Sequence, residues 1–437
     1  MVEPTVLLGI DIGSSAVKAG IFGLDGTELA VSRVACSSAG AIDPALWWEA
    51  VCRAIAELPG PVPVAVGICG RGGTAVLLDE HGAILADSWE DGRALPLMPQ
   101  VAAEHPGLAP QAVRILAKGE WWRRNRGQQP ALALSAKDYA VYRLTGEVSA
   151  DPASGGAPAG AGLPLASLRA PWERAGVSRK DGPLPPGIPV AVGWHDGAAA
   201  TFGAGAAAEH VAPVTLGTTA VYRVTTSSIP AGLRKYWDLT PGLTVTGGDI
   251  TGAGRAFAWA TSMFPGADAS RSKAGSAGLT FLPQFSGRIA PDVQRGARGT
   301  WWGLDGTQEP DDLLRSIVEA SAFSLRQVRD WLATQGLRAS GTVATGGGAR
   351  NPLQAQVLSD VLGDAVDVCG FEEGCRGAAL LGAVAAGFVD LEAARTLPVS
   401  AARYEPRATD APAYQVALER FLAVQRATDT IRTGDGE

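Results

Sequence analysis

Apolar residues dominate the run from Thr5 to Ile10 almost without a break, then alternate with small or polar ones from Ala16 to Phe22. Asp11-Ile12-Gly13-Ser14-Ser15 joins the two runs, and Leu24-Asp25-Gly26-Thr27 turns the chain into a third strand from Glu28 to Val34. A period of two punctuated by glycine turns predicts a β-meander that opens with an acid and a Gly-Ser-Ser turn. The same device returns about two hundred residues later, as strand, Gly217-Thr218-Thr219 and strand across Val214 to Val224. A duplicated two-domain architecture leaves that trace, although such hairpins are common in themselves.

Between the two meanders the period changes. Asp43-Pro44 opens a helix with a cap and a first-turn proline, and Trp47, Trp48, Val51, Ile55 and Leu58 recur at helical spacing as core positions. Val62 to Ile68 is a buried strand that ends in Cys69-Gly70-Arg71-Gly72-Gly73-Thr74. Leu95 to Arg126 is helical in pieces broken by its prolines, and Ser135 to Leu144 is a helix closed by Thr145-Gly146. From Pro152 to Pro189 periodicity is lost, which predicts long loops with short helices. A domain boundary falls near Ala206 to Val211.

The later half repeats the alternation of strand and helix. Leu243 to Ile250 is strand-like, and Thr251 to Gly254 precedes a helix carrying Phe257 and Trp259. Asp311-Asp312 caps a long amphipathic helix with Leu314, Ile317, Val318, Leu325, Val328 and Leu332 on one face. Thr342 to Ala344, Gly346-Gly347-Gly348 and the Asn351-Pro352 helix start form a strand, glycine loop and helix N-terminus, which is the geometry that receives a phosphate. Glu372-Glu373-Gly374 reads as a solvated acidic turn, Gly377 to Ala386 as a small-residue helix, and Ala411 to about Ile431 as the closing helix.

The chemistry collects near Val190 to Tyr222. An apolar strand ends at Gly193, and His195-Asp196-Gly197 then opens an Ala/Gly helix, so Asp196 is a lone carboxylate at a strand-to-helix turn. An acid there, beside a turn of phosphate size, suggests a base facing a nucleotide. A capping Asp and an ordinary turn produce the same pattern.

Composition narrows the classes. At 437 residues the chain is long enough for two or three domains with proper cores. Its 56 glycines exceed the usual share of roughly 7%, which implies many close backbone approaches. A net charge of -7 and a pI near 5.3, with no basic run, argue against nucleic acid or an anionic membrane as partner. Five cysteines without CxxC favour reduced thiols in the cytoplasm, and the opening MVEPTVLLGID predicts neither export nor a membrane span. No glycine loop carries a P-loop lysine, and the four histidines lack metal spacing. What remains is a set of separate small turns with two acids, Asp11 and Asp196, near them.

Seven blocks stand in the order found in the FGGY carbohydrate kinases: GIDIGSSAVKAGIFGLDG, VLLDEHG followed by WEDGR, KDYAVYRLTGEVSAD, VGWHDGAAATFGAG, LGTTA, GLTFLPQFSG with ARGTWWGL, and ATGGGARNPLQAQVLSDVLG. Over nearly its whole length the chain resembles that family, within the superfamily of actin, hexokinase and the heat-shock chaperone ATPases, and looks most like its xylulokinase branch. The resemblance implies an α/β fold of two ribonuclease H-like, actin-like ATPase domains around a central cleft, 1–207 with the sugar site and base and 208–437 with most of the nucleotide site. It implies an ATP-dependent, cytoplasmic sugar kinase using Mg²⁺, with a sugar or polyol as acceptor. Relatives are often dimers, so a homodimer is a candidate assembly.

Carried over by residue, the resemblance makes Asp196 the catalytic base, and Asp11 with Asp196 the acids near the magnesium. Gly13, Ser14, Ser15 and Lys18 match the first phosphate loop, and Gly217, Thr218 and Thr219 the second. Gly254, Gly347, Gly348 and Asn351 match positions that line the adenosine, while Trp89, Asp91 and Arg93 match positions near the sugar. Lys18 reads equally as a solvated strand residue. Two departures bear on the acceptor. Arg71-Gly72-Gly73 replaces larger substrate-touching side chains, which predicts a wider pocket, with Arg71 either a fork for an anionic or highly hydroxylated substrate or the partner of a nearby acid. The family's Gly-Glu-Arg-x-Pro loop appears as Gly287-Arg288-Ile289-Ala290-Pro291, without its acid-base pair. The alternatives are a kinase for a sugar acid such as gluconate, a catalytically impaired nucleotide-binding regulator of the same fold and, less compatible with the WEDGR and PQFSG blocks, a chaperone-type or acetate-kinase-like ATPase.

Overall fold

The opening apolar run is a central strand, and both of its faces are covered. The computed structural model describes residues 5–13, 15–36, 41–85, 88–89, 92–155, 167–398 and 400–431. Strand β1 (Val6–Ile12) pairs antiparallel with β2 (Ala16–Gly23), and β2 pairs antiparallel with β3 (Glu28–Ala35). On its other edge β1 runs parallel to β4 (Ala65–Gly70), all six residues of which are buried. β5 (Arg174–Val177), β6 (Pro189–Ala191) and the short β7 (Trp194–His195) complete a seven-stranded sheet of order β5-β6-β4-β1-β2-β3, with β7 also paired to β4. A sheet covered on both sides needs apolar residues at successive positions, which is why β1 and β4 read as runs instead of alternations.

The helices of this part of the chain include α1 (Pro44–Ala56), α2 (Pro110–Arg126), α3 (Ala136–Thr145) and α4 (Asp196–Gly203). Asp43 caps α1 by accepting from the Ala45 amide at 2.8 Å, with proline in the first turn as expected. Trp47 and Val51 of α1 and Tyr139 and Val141 of α3 form one core with Leu8, Ile10 and Ile12. The stretch expected to be loops and short helices instead supplies β5 at the sheet edge, although 156–166 lie outside the described residues. Its backbone pairing with β6 leaves no apolar alternation to read.

The second sheet follows the same plan. β8 (Val211–Leu216), β9 (Ala220–Thr226), β10 (Lys235–Asp238) and β11 (Thr244–Ile250) are joined by β12 (Gly341–Thr345) and β13 (Val366–Cys369), in the order β10-β11-β9-β8-β12-β13. In both sheets the third, second, first, fourth and fifth strands of the repeat lie side by side, with the first three antiparallel and the fourth parallel to the first. The duplicated turns of the sequence are therefore equivalent hairpins of a duplicated topology.

Helices α5 (Ala253–Met263), α6 (Pro310–Thr334) and α7 (Pro352–Leu362) cover the second sheet. The cap of α6 is Glu309, not Asp311-Asp312: Asp312 sits three residues in and accepts from the Glu309 amide at 3.0 Å, closing a capping box.

The chain then departs from a simple two-block division. Helix α8 (Glu373–Ala385) belongs with the first sheet, while β14 (Ser400–Tyr404) and α9 (Ala411–Thr428) return to the second. The compact units are 1–205 with 371–399, and 206–370 with 400–437, so they interleave, whereas the resemblance implies contiguous domains over 1–207 and 208–437. Glycine explains the exchange. A Cβ on Gly9 of β1 would lie 1.8 Å from the Cys375 carbonyl oxygen, and one on Gly67 of β4 would lie 1.7 Å from that of Ala378. Helix α8 thus rests directly on strand backbone, and Leu7, Phe22 and Ala65 share a core with Cys375, Ala379 and Ala383.

Candidate active site

Three chain segments leave the first sheet side by side. Within β1, β4 and β7, Ile12 is opposite Gly70, and Gly70 is opposite His195. The turn at Gly13, the turn at Arg71 and the carboxylate of Asp196 therefore all emerge from one end of neighbouring parallel strands, which lie about 5 Å apart. The carboxyl end of such strands is where open α/β sheets bind ligands.

Asp196 is the first residue of α4, and its side chain is 53% exposed. The Gly197 amide donates to its Oδ1 at 2.7 Å, and the first turn of a helix favours negative charge. His195 caps the helix, its Nδ1 accepting from the Ala198 amide at 3.3 Å. An exposed, oriented carboxylate is thereby held by backbone.

Asp11 differs: its side chain is only 15% exposed. Its Oδ2 lies 3.8 Å from Lys18 Nζ, and the Cys69 thiol donates to Oδ1 at 3.5 Å. Burial pushes the Asp11 carboxyl up to about 6; Asp196 and Glu373 add to the shift, while Lys18 and Cys69 oppose it. Lys18 reaches Glu372 at 2.7 Å, and the Glu372 amide donates to Glu28. Burial pulls the Lys18 ammonium down, but Asp11 and Glu372 outweigh that and hold it above the ordinary lysine value. Glu372 and Glu373 are thus not a solvated turn: they form the cap and first turn of α8, and Glu372 binds Lys18. The reading of Lys18 as a solvated residue fails with them.

In the same unit, Arg71, Gly72 and Gly73 line a cavity of about 140 Å³ with Ala94, Met98 and the α2 residues Arg114 and Lys118. A Cβ on Gly73, whose φ is +72°, would lie 2.4 Å from Gln111 Oε1 and 2.9 Å from Arg114 Cδ. The space vacated at the turn is filled by the polar face of α2. Arg93 stacks on Trp121 at 5.3 Å from the ring centroid and is not among the cavity's lining residues. Asp91 and Ser14 lie outside the described residues, as does the side chain of Trp89.

The second unit holds a larger cavity of about 480 Å³. Gly217, Thr218, Gly254, Gly347, Gly348 and Asn351, which the resemblance places near the nucleotide, line it together, with apolar walls from Phe257, Ile317 and Val318. Thr219 lies outside this lining, its carbonyl accepting from the Gly217 amide at 3.1 Å. A Cβ on Gly254 would lie 2.1 Å from the Gly217 carbonyl oxygen, so glycine is needed for α5 to start against the turn. Nothing lies within 4 Å of the equivalent point on Gly347, which leaves its backbone open on that side. Asn351 caps α7, accepting from the Leu353 and Gln354 amides at 3.0 and 3.2 Å.

Residues 214–386 match the C-terminal domain of the FGGY family of carbohydrate kinases. The chain is 26% identical to the xylulose kinase of Escherichia coli strain K12 over 417 residues, 82% of this chain and 85% of that protein. Its structure superposes on that of a xylulose kinase from Rhodospirillum rubrum with a TM-score of 0.79 at 25% identity, covering 97% and 99% of the two chains. Residues 214–386 thus carry an FGGY-family C-terminal domain, and along most of its length the chain is similar to FGGY carbohydrate kinases. A gluconate kinase from Lactobacillus acidophilus shares the fold, with a TM-score of 0.82 at 20% identity over 98% and 99% of the chains. The protein is accordingly a sugar kinase of two actin-like ATPase units, and ATP is the phosphate donor of its family.

Two features of this FGGY kinase escape its sequence. The loop thought to have lost an acid-base pair keeps one: Arg288 binds Asp292 and Asp429, each by two hydrogen bonds of 2.7 to 3.1 Å. Asp429 is 141 residues away, beyond any motif. Arg114 and Lys118, which line the smaller cavity, were also missed; the available signal was a pair of cations four apart in the helical run RILAKG.

Proposed function

We propose that the kinase phosphorylates a hydroxyl of a sugar or polyol, as its xylulose kinase and gluconate kinase relatives do by name. The observation that carries this reading is the exposed Asp196 carboxylate, fixed by its own helix at the strand ends that also present the Arg71–Gly73 turn. Asp196 takes the proton of the acceptor hydroxyl as its oxygen bonds to the γ-phosphorus; the bond from that phosphorus to the β,γ-bridging oxygen breaks, and ADP leaves with the electron pair. A loose phosphoryl-transfer transition state needs modest proton removal and accurate positioning, which a backbone-held carboxylate supplies.

The nucleotide is assigned to the cavity lined by Gly217, Thr218, Gly254, Gly347 and Asn351, where unencumbered backbone amides suit phosphate oxygens. Asp11 fits a magnesium ion. Mg²⁺ binds through one or two carboxylates with retained water, and a carboxyl raised to about 6 by burial is one that a cation would relieve. When bound, the ion neutralises charge on the transferring phosphoryl group. Free thiols at all five cysteines support the cytoplasm as the compartment, and no helix among the described residues is long and apolar enough to cross a membrane.

The test is ADP release across ketoses, polyols and aldonates, with Asp196→Asn as the variant. Turnover should fall at least about 1,000-fold while ATP affinity, measured by calorimetry, stays within about threefold. Wild-type turnover in Asp196→Asn would remove the base from the mechanism.

A further inference from the structure

Resting on the reading of Asp196 as the base, we infer that His195 is a positioning residue for phosphoryl transfer: its Nδ1 lone pair caps α4 and thereby aims the Asp196 carboxylate. An amide N–H can donate only to a ring nitrogen that carries no proton. Because Nδ1 accepts from the Ala198 amide at 3.3 Å, His195 is the neutral tautomer with its proton on Nε2. Its backbone, at φ -68° and ψ 156°, is extended, as an N-cap requires. The residue before it is pinned. Trp194 is buried, edge-on to Trp172 and beside Phe202 of α4, with ring centroids 5.9 and 6.4 Å away. His195 itself is buried opposite Gly70 of β4.

The cap reaches the carboxylate through one glycine. Asp196 Oδ1 accepts from the Gly197 amide at 2.7 Å, so the direction of Oδ2 follows the backbone of the first turn. That turn continues through Gly197 and Ala198, and glycine holds a helical backbone less firmly than other residues apart from proline. Without Nδ1 the Ala198 amide loses its side-chain partner, and the turn that carries Gly197 is free to fray. A neutral acceptor suits the position. Nδ1 lies 3.8 Å from Asp196 Oδ1, so a carboxylate cap at 195 would set like charge beside the proposed base. The same distance exceeds that of a hydrogen bond, and Nδ1 is already taken by the Ala198 amide, so the two side chains do not form a proton relay through Nδ1. The proton removed from the acceptor hydroxyl passes from Asp196, whose side chain is 53% exposed, to solvent.

The experiment separates the capping atom from the far ring nitrogen. His195→Asn and His195→Ser keep a capping oxygen near the place of Nδ1, His195→Gln keeps polarity near that of Nε2, and His195→Leu keeps neither. ADP release is measured on whichever ketose, polyol or aldonate wild type turns over fastest. His195→Asn and His195→Ser should hold kcat within about threefold, whereas His195→Gln and His195→Leu should lose about 10- to 100-fold, with KM for ATP and acceptor changed by no more than about threefold. Hydrogen exchange over residues 194–203 is read independently of turnover. Exchange at Ala198 should quicken about 5- to 30-fold in His195→Gln and His195→Leu and stay near wild type in the two capping variants. A ranking of kcat that follows side-chain size or the Nε2 position instead of capping overturns the proposal, as does turnover in His195→Leu equal to wild type. If wild type yields ADP with no acceptor the kinase reading fails, whereas unchanged exchange at Ala198 in His195→Leu refutes the cap alone.

Discussion

The helix that carries Asp196 is held at a fixed distance from α8 by two glycines, and replacing one of them should separate structure from chemistry in a measurable way. A Cβ on Gly377 would sit 1.9 Å from the Ala199 carbonyl oxygen, 2.7 Å from its carbon and 3.0 Å from the Gly203 amide nitrogen. Real Cβ atoms essentially never approach closer than 3.0 Å, so Gly377→Ala must move α4 and α8 apart by about 1.1 Å. All three obstructing atoms are backbone, so no side chain rotates out of the way. Alanine gains about 1 kcal/mol of helix propensity over glycine, and overpacking a tight contact costs about 1 to 3 kcal/mol or more. With three backbone atoms in the way, the upper end applies and about 2 kcal/mol of net destabilisation is expected. For a unit of this size that lowers the melting temperature by about 4 to 8 °C. Ala199 lies one helical turn from Asp196, so the displacement reaches the proposed base, for which a 1 Å misplacement would cost about 100-fold in turnover. Differential scanning calorimetry and ADP release measure the two effects. Gly341→Ala is the matched control, since nothing lies within 4 Å of its Cβ position. If Gly377→Ala melts and turns over like Gly341→Ala, the close backbone contact does not hold Asp196 in place.

Asp11 makes stability depend on pH in the metal-free protein. Its carboxyl is raised from 3.8 to about 6, so the folded state binds the proton more tightly, and stability is greatest below about pH 4 and declines until about pH 6. Two pH units correspond to about 3 kcal/mol, so urea unfolding of Asp11→Asn should gain up to that much on wild type between pH 4 and 7; parallel curves would refute the assignment. Lys137 is buried between Asp138 and Asp151, the latter at 3.1 Å, and donates to the Val192 carbonyl at 3.0 Å. Lys137→Met leaves two buried carboxylates without their cation and should cost about 3 to 5 kcal/mol by chemical denaturation, whereas a loss below 1 kcal/mol would show the cluster to be neutral.

Much of this molecule was legible as pattern. The β1–β2 and β8–β9 hairpins, the α1 cap at Asp43, the α7 cap at Asn351 and six residues lining the larger cavity rest on turns and caps formed by residues near in sequence. The place of Asp196 at the start of a small-residue helix was legible in the sequence, while its proposed role as base rests on the family resemblance. Lys18 was not, since its partner Glu372 is 354 residues away. Nor was the packing of Gln111 and Arg114 against Gly73, because those side chains come from a separate helix.

The amino-acid order alone determined which segments become strands and helices, where they stop, and which acids and glycines stand at their ends, because periodicity, capping and turn geometry are settled among near neighbours. Tertiary structure decided that α8 leaves the second sheet to lie on β1 and β4, that Arg288 regains carboxylate partners, and that Arg114 and Lys118 face Arg71. Those outcomes depend on backbone approach and charge pairing between residues tens to hundreds of positions apart, which exist only once the sheets have brought them together.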